Sequence, residues 1–554
     1  LDARKKVIDI LEEKGLVEKI EENYMHNIAL NERGGGVIEP QVMHQWWLNV
    51  NKEAVDYQGQ KLSFKQILEK VIKEDQIEII PKKFEATYFN WIENYQDWCL
   101  SRQIWFGHRI PAWYKDKEIK VQKDSPGEGW KQDEDTLDTW FSSAQWTYNT
   151  MEYPKMDLIK KFHPTSVLET GREILTIWVI RMIMMSTYNL GEIPFKQVFL
   201  HGMVVDKYGK KMSKSKDNGI DPLDVVAKYG ADAVRLSLII GMTPGQDTRM
   251  SEEKIASYRN FVTKVWNSVR YILLNVDTKY HQTVEITAQD IKSPADSWIL
   301  CELNKLMQES TACMEKWHLS QTGTKLYNFL WNTLCNYYIE MSKTSQNPKV
   351  LIYVTQTILK MLQPFIPFVT QELWSLLGHK SQLMLEQWPE PIVDACQKQS
   401  NYNQDIILTI QAIRSLKQEM NLQNNKDVRV LINTQLKMQE AVAVMKKMTK
   451  LENIEIIDSK QYTKKGYIGK VVKKHIFIML ELPSDIDIQT EIQKAQKEIN
   501  QTTKFIENAK TKLNNPKYVN SAPEHLVQET KDKLQELEHK LEQLQSKLIH
   551  LQNV

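Results

Sequence analysis

The stretch Val198-Phe199-Leu200-His201-Gly202-Met203-Val204-Val205, followed by Asp206 to Ser215 and closed by Ile220-Asp221-Pro222, decides how this chain folds. Its first half is a continuous apolar, β-rich run, the pattern of a strand buried in a parallel sheet. The strand empties into a loop carrying Lys207, Lys210, Lys211, Lys214 and Lys216, five ammonium groups in ten residues. Asp221 suits a helix N-cap and Pro222 the first helical position, so a helix is predicted to begin there. Strand, basic loop and helix in that order make a site at the carboxyl end of a sheet, where α/β folds bind nucleotides.

The middle of the loop reads Lys211-Met212-Ser213-Lys214-Ser215. Two close ammonium groups repel, so stability gives no reason to place them together. They suit a polyphosphate whose leaving pyrophosphate gains charge in the transition state. A solvated basic loop is the plain alternative for any lone lysine-rich pentamer. This pentamer, KMSKS, is the signature of class I aminoacyl-tRNA synthetases, and the chain resembles that family here. The resemblance implies that His201 and Gly202 lie on the strand that contacts adenine. It also implies that Lys211 and Lys214 grip the ATP phosphates, that Met212 and Ser213 shape the loop, and that Ser215 completes the ATP-binding set. Magnesium is expected with the ATP, and no zinc.

Outward from the loop, 554 residues imply several domains. A hydrophobic share of 42% with 26% charged residues is ordinary for a globular protein. The net charge of +2 means that any RNA-binding surface must be local. Cys99, Cys301, Cys313, Cys335 and Cys396 are scattered without a Cys-x-x-Cys pair, which speaks against a zinc ribbon or a disulfide framework and suits a reducing cytoplasm. No apolar run reaches membrane-spanning length and no signal peptide opens the chain, so no membrane partner is expected. Leu1 falls inside a helix-like segment, and the protein is expected to begin upstream of it.

Residues 1–30 alternate lysine and glutamate around an apolar stripe of Val7, Ile10, Leu11 and Leu16. Arg33 to Gly36 is a turn, and Val37-Ile38-Glu39-Pro40 a short strand. Residues 84–114 hold Trp91, Trp98, Trp105 and Trp113, a density that usually means core. His108 has no nucleophile with a supporting acid nearby, so a structural or substrate-positioning role is expected of it. Trp140, in Asp138 to Ser143, and Trp178, in Thr170 to Met182, are two separated aromatics that would wall an apolar pocket, with core packing as the alternative for each.

These segments narrow the resemblance. "WCLSRQIWFGHRIPAWY", "LDTWFSSA" and "TGREILTIWVIRM" are similar to valyl-tRNA synthetases, whereas the isoleucyl relative normally carries Asp-Ser-Gly after its Trp-Phe. The resemblance makes Trp140 and Trp178 walls of the amino-acid pocket, and Gly171 and Glu173 neighbours of the adenylate. Glu173 stands where an aspartate is common. Lys216-Asp217-Asn218-Gly219 replaces the usual Lys-Gly-Asn-Val, and Asp217 would repel phosphate.

Beyond Pro244 to Asp247, helical segments with Pro364 and Pro367 as interruptions read as a bundle. The strings "CNYYIE" and "QPFIPFVTQELW" resemble an anticodon-binding domain. Residues 395–488 read as a small α/β module from strands at Val428 to Ile432 and Ile476 to Leu480. Lys464, Lys465, Lys470, Lys473 and Lys474 there make a basic patch whose default reading is a solvated face. The tail repeats apolar residues at three- and four-residue spacings from Ile492 to Leu513 and from Leu534 to Leu551, the pattern of an antiparallel coiled-coil hairpin with arms of roughly 37 Å. Its "KLNNPKYVNSAP" tip resembles the tRNA-binding arm of the valyl enzymes, with Lys510, Lys512 and Lys517 placed for phosphates.

The expected architecture is therefore α/β and then all-α. Residues 1–40 are the tail of an editing insertion, 41–245 the C-terminal half of a Rossmann-like catalytic domain, 246–394 the helical anticodon-binding domain, 395–488 the α/β module and 489–554 the coiled-coil arm. None of the twelve histidines forms the His-x-Gly-His element that the family carries upstream of the lysine loop. The editing pocket should also lie upstream; valyl enzymes are themselves the standard example of an apolar pocket that cannot strongly reject threonine. The expectation is a cytoplasmic, monomeric valine–tRNA ligase chain acting on valine and tRNA(Val), inactive alone. The alternatives are a non-catalytic tRNA-binding fragment or paralogue, and an isoleucyl-type relative.

Overall fold

Asp221 does what its position predicts. Its carboxylate accepts the Leu223 N–H at 2.8 Å, and the helix Pro222–Tyr229 opens on the proline. Gly230, at φ +89°, parts this helix from Ala231–Ile239 at a residue that takes such a φ without a Cβ penalty. The computed structural model describes the chain apart from residues 1, 22–23, 26, 32–34, 213–217, 282–284, 344–345, 393–399, 421, 437, 459–465, 474, 483–487, 516–523 and 553–554.

The run expected as one strand is two, Phe195–His201 and Val204–Val205. The first is central in a three-stranded sheet. It lies parallel to Glu78–Ile80, with Val198 opposite Ile79, and Thr165–Gly171 flanks it on the other side. The second pairs in parallel with Thr248–Arg249. The break has a local cause. A Cβ on Gly202 would sit 2.1 Å from the Gln246 carbonyl carbon and oxygen, so that main chain presses against the strand there. The Met203 N–H turns to the Asp247 carboxylate, 2.8 Å away.

The chain forms two compact units. The first comprises Leu1–Ile77, Glu85–Ser166 and Leu175–Lys196. Its helix Phe64–Lys73 starts at a capping box of Ser63 and Gln66 and buries Phe64, Ile67, Leu68, Val71 and Ile72. That face packs against Ile180–Leu190, which follows a π-helical turn at Leu175–Val179 and buries Ile180, Met182, Ile183 and Met184. The helix Asp2–Glu13 forms as its stripe predicts, with Val7, Ile10 and Leu11 exposed and Leu16 beyond its end. Instead of a strand at Val37 to Pro40 there is a single bridge between Leu30 and Val37. Of the expected core tryptophans Trp98 is buried, whereas Trp105 is 97% exposed and Trp91 47%.

His163 is buried in this unit, its Nε2 3.2 Å from Ser186 Oγ. Desolvation lowers its pKa, against the pull of Glu192, whose carboxylate lies 3.6 Å from Nδ1. The unfolded chain therefore holds this proton more readily than the folded one. His163 contributes stability that is present above histidine's ordinary value of about 6.5 and is lost as pH falls toward the depressed one. Hydrogen exchange across Thr165–Gly171 and Ile180–Leu190 is expected to speed up between pH 7 and 5 beyond its intrinsic pH dependence, and His163→Gln to remove that excess. An equal excess in the variant would refute the assignment.

The second unit comprises Glu78–Phe84, Val167–Ile174 and Gln197–Val554. Its helices include Glu252–Asn275, Pro294–Glu315, Leu319–Asn328, Pro348–Leu362 and Pro367–Leu376, around a core running from Leu236 through Phe261, Leu303, Leu330 and Ile358 to Ile432 and Leu480. Pro364 follows the end of one helix and Pro367 opens the next at its first position, so the interruption expected from them is a full stop. A four-stranded sheet follows in the order Asn453–Ile457, Arg429–Thr434, Ile476–Glu481, Tyr467–Lys473, with its first pair parallel and the others antiparallel. The basic patch there is not simply solvated. Lys470 bonds Glu419 at 3.0 Å and Ser415 at 2.9 Å, and Lys473 pairs with Asp405, so both clamp the sheet to the helix Ser400–Glu419. Lys464, Lys465 and Lys474 lie outside the described residues. Among the described residues Cys99, Cys313 and Cys335 are free thiols.

Two long helices end the chain, Ile488–Leu513 and Glu524–Gln552, lying against one another. Ala495, Ile499, Thr502 and Ile506 are buried at the expected spacings, and Lys510 bridges to Glu538 at 2.8 Å. The tip from Pro516, with Lys517, lies outside the described residues. Among the described residues no helix is long and apolar enough to cross a membrane.

Candidate functional site

At the carboxyl end of Phe195–His201 a charged cluster sits within the second unit. His201 Nδ1 contacts the Glu169 carboxylate, and the ring's other nitrogen is 3.5 Å from where a Cβ on Gly171 would be. Glu173 Oε2 is 3.2 Å from the same point, so a histidine nitrogen and a carboxylate close in on the bare face of Gly171. Arg172 ties the cluster together. It reaches the Gly245 carbonyl at 2.9 Å, Asp247 at 2.8 Å and Glu173 at 3.1 Å. His201, Gly171 and Glu173 are thus brought together. Gly202 is buried and serves the close passage of residues 246–247. Glu169, Arg172 and Asp247 were not legible as partners, because alternation along a strand says which face a residue takes and not what meets it there.

The lysine loop leaves from Val205, which bridges to Lys211. Asp206 closes its base. Its carboxylate accepts the N–H of Tyr208 at 2.9 Å and of Lys210 at 2.8 Å, and the Asn218 amide at 2.9 Å. The Lys210 N–H first, and the Asn218 side chain next, hold the Asp206 carboxyl below its usual range. Asn218 also bonds the Lys211 carbonyl at 3.3 Å, so one side chain pins both ends of the loop. An Asp-x-x-Gly turn at Asp206 to Gly209, where Gly209 has φ +80°, was the available signal for Asp206; Asn218 had none. Lys211 is exposed and Met212 half-buried beside a cavity of about 500 Å³ that Asp206, Tyr208, Asn218 and Tyr229 also line. Ser213, Lys214, Ser215 and Asp217 lie outside the described residues.

The other two expected pocket residues belong to the first unit. Trp140 is half-buried in the helix Thr139–Ser143. Trp178 donates its indole N–H to the Ser143 carbonyl at 2.9 Å and meets the ring of Trp146 edge-on, with centroids 6.1 Å apart. Trp146 was not singled out in the sequence. Asp138, buried before this helix, accepts from Trp98 Nε1 at 2.9 Å and pairs with Arg102 at 3.2 Å, which anchors the segment. His108 is exposed.

Three family descriptions match the chain. "tRNA synthetases class I (I, L, M and V)" covers residues 12–127 and 120–251, "Anticodon-binding domain of tRNA ligase" covers 296–432, and "Valyl tRNA synthetase tRNA binding arm" covers 487–552. A valine–tRNA ligase of Bacillus licheniformis is 36% identical over 518 residues, which is 89% of this chain and 57% of that protein. Another, from Oceanobacillus iheyensis, is 39% identical over 455 residues, 78% of this chain and 50% of that one. The chain thus spans about half the length of the curated relatives it matches. Among solved structures, a ternary complex of the leucyl enzyme from Agrobacterium radiobacter K84 aligns with a TM-score of 0.49 at 20% identity, covering 66% of this chain and 50% of that one.

Proposed function

The chain belongs to the valyl-tRNA synthetases of class I, and from that premise we propose that it serves the ATP-dependent ligation of valine to tRNA(Val). The valine carboxylate attacks the α-phosphate of ATP and pyrophosphate leaves. A hydroxyl of the terminal adenosine of the tRNA then takes the acyl group and releases AMP. Such an attack needs positioning and charge neutralisation more than a protein nucleophile. Lys211, with Lys214, meets the phosphate charge, while Met212, Ser213 and Ser215 shape the loop. His201, Gly202, Gly171 and Glu173 border the adenylate, and Trp140 and Trp178 the valine side chain. Magnesium supplies further charge neutralisation. That ion would be held chiefly by the phosphates, with one or two carboxylates and water completing its shell.

The domain division set out above belongs to this proposal, with a Rossmann-like half followed by the anticodon bundle, the α/β module and a coiled-coil arm lying along the tRNA. So do a monomeric state and action in the cytoplasm. The observation that carries the reading is Lys211, exposed at the rim of a parallel strand on a loop pinned by Asp206 and Asn218.

The test is valine-dependent ATP–pyrophosphate exchange by the chain alone and joined to the unmatched part of the Bacillus licheniformis relative. Exchange is expected only when the two are joined. In the joined protein Lys211→Ala is expected to lower kcat/KM by one to two orders of magnitude, about 1.4–2.7 kcal/mol. An unchanged rate would reject the role of Lys211. A joined protein that binds tRNA and activates no amino acid would favour the non-catalytic reading.

A further inference from the structure

A second cavity, of about 610 Å³, lies elsewhere in the second unit, between the end of Glu78–Ile80, the turn at 241–244 and the start of Leu319–Asn328. Its walls are apolar: Pro81, Met242, Leu319 and the Trp317 side chain. Its polar rim has one sign. Lys83, Lys316 and His318 line it, none of the described lining residues is acidic, and none of the three has an ion-pair partner among the described residues. A merely solvated basic face would not need an apolar slot behind the charges.

The slot is also held in place. Trp317 has φ +58°, a left-handed conformation that a bulky residue adopts only when its surroundings impose it. Its indole N–H donates to Gln197 Oε1 at 3.0 Å, and its ring leans on Phe199 with centroids 5.8 Å apart. The Gly241 N–H is fixed by Ser320 Oγ at 2.8 Å. Behind that turn the Lys254 ammonium lies 3.8 Å from where a Cβ on Gly241 would be, half-buried and without a carboxylate partner among the described residues. Burial lowers its pKa, so it gains from an anion brought near.

We propose that this cavity binds a nucleotide phosphate unit, with base or ribose against Trp317 and Leu319 and the phosphate against Lys83, Lys316 and His318. A free nucleotide and an RNA strand both offer that chemistry. The site is separate from the strand and loop assigned to ATP above and does not depend on that assignment.

Photolabelling with 8-azidoadenosine 5′-monophosphate, followed by peptide mapping, locates the ligand directly. Adducts are expected within 241–244 or 316–321. The double variant Lys83→Ala, Lys316→Ala, altered only at exposed positions, should lose about tenfold in yield there. Trp317→Gly keeps the left-handed φ while removing the ring and should also weaken labelling. If a tRNA transcript protects the segment and binds the double variant about tenfold more weakly, RNA is the source; if AMP alone competes, a free nucleotide is. Adducts confined to 201–212 would overturn this site and leave the ATP reading intact. Labelling and tRNA affinity both unchanged in the double variant would overturn it as well.

Discussion

Gly202→Ala is expected to destabilise the sheet of the second unit by about 3 kcal/mol or more. Overpacking in a tight interior commonly costs about 1–3 kcal/mol, with larger values where the neighbour cannot yield. Here the added methyl group meets main chain. It would lie 2.1 Å from the Gln246 carbonyl and 2.5 Å from the Asp247 nitrogen. Neither can swing aside as a side-chain tip would, because Thr248 donates its N–H to the Met203 carbonyl at 2.8 Å and Asp247 accepts from Met203. Relief requires parting Val204–Val205 from Thr248–Arg249, which also moves Arg172 off Asp247 and disturbs the charged cluster beside His201. Hydrogen exchange across 195–205 and 246–250 should rise sharply in the variant, and nucleotide affinity should fall with it. Wild-type protection in both segments would show that the close approach is not real.

Asp296→Ala is expected to cost about 3–4 kcal/mol in the helical part, since it strips the acceptor from several buried donors at once. Asp296 is 2% exposed. Its carboxylate accepts from the N–H of Lys292 at 3.1 Å and Ser293 at 3.0 Å, the Tyr338 hydroxyl at 2.8 Å and the Asn347 amide at 2.9 Å. Burial, and then the Asp296 charge, push the Tyr338 hydroxyl well above the usual phenol value, so at neutral pH it stays a donor. One side chain thus caps Pro294–Glu315 and ties it to two later segments. Asp296→Asn should cost less, because one oxygen still accepts. Urea unfolding followed by exchange in 293–315 and 338–347 measures the difference; equal, small effects for both variants would mean that the network adds little.

Much of the layout was legible because it rests on local chemistry. The cap at Asp221, the proline that opens Pro367–Leu376 and the spacing of Ala495, Ile499, Thr502 and Ile506 each depend on neighbours within a turn or two. The lysine loop was legible through its KMSKS string, because a lysine-rich pentamer without that resemblance reads equally as a solvated loop. The tryptophan density of residues 84–114 misled at Trp91 and Trp105, since composition shows that a ring could be buried and not that anything covers it. The lysines taken as a solvated face misled in the opposite sense, because Glu419 and Asp405 come from a helix some fifty to seventy residues earlier in the chain.

The sequence by itself determined the family, the kinds of element and a few of their ends, such as the cap at Asp221 and the proline at 367, and it offered residues for phosphate chemistry; these rest on short-range pattern and motif. Only the tertiary structure decided that the central strand divides at Gly202, that Glu169 meets His201, that Asn218 staples the lysine loop to Asp206, and that Trp146 rather than another ring faces Trp178. Each of those contacts joins residues from about a dozen to forty-five positions apart. Their pairing is set by how whole strands and helices pack, and no local preference along the chain encodes it.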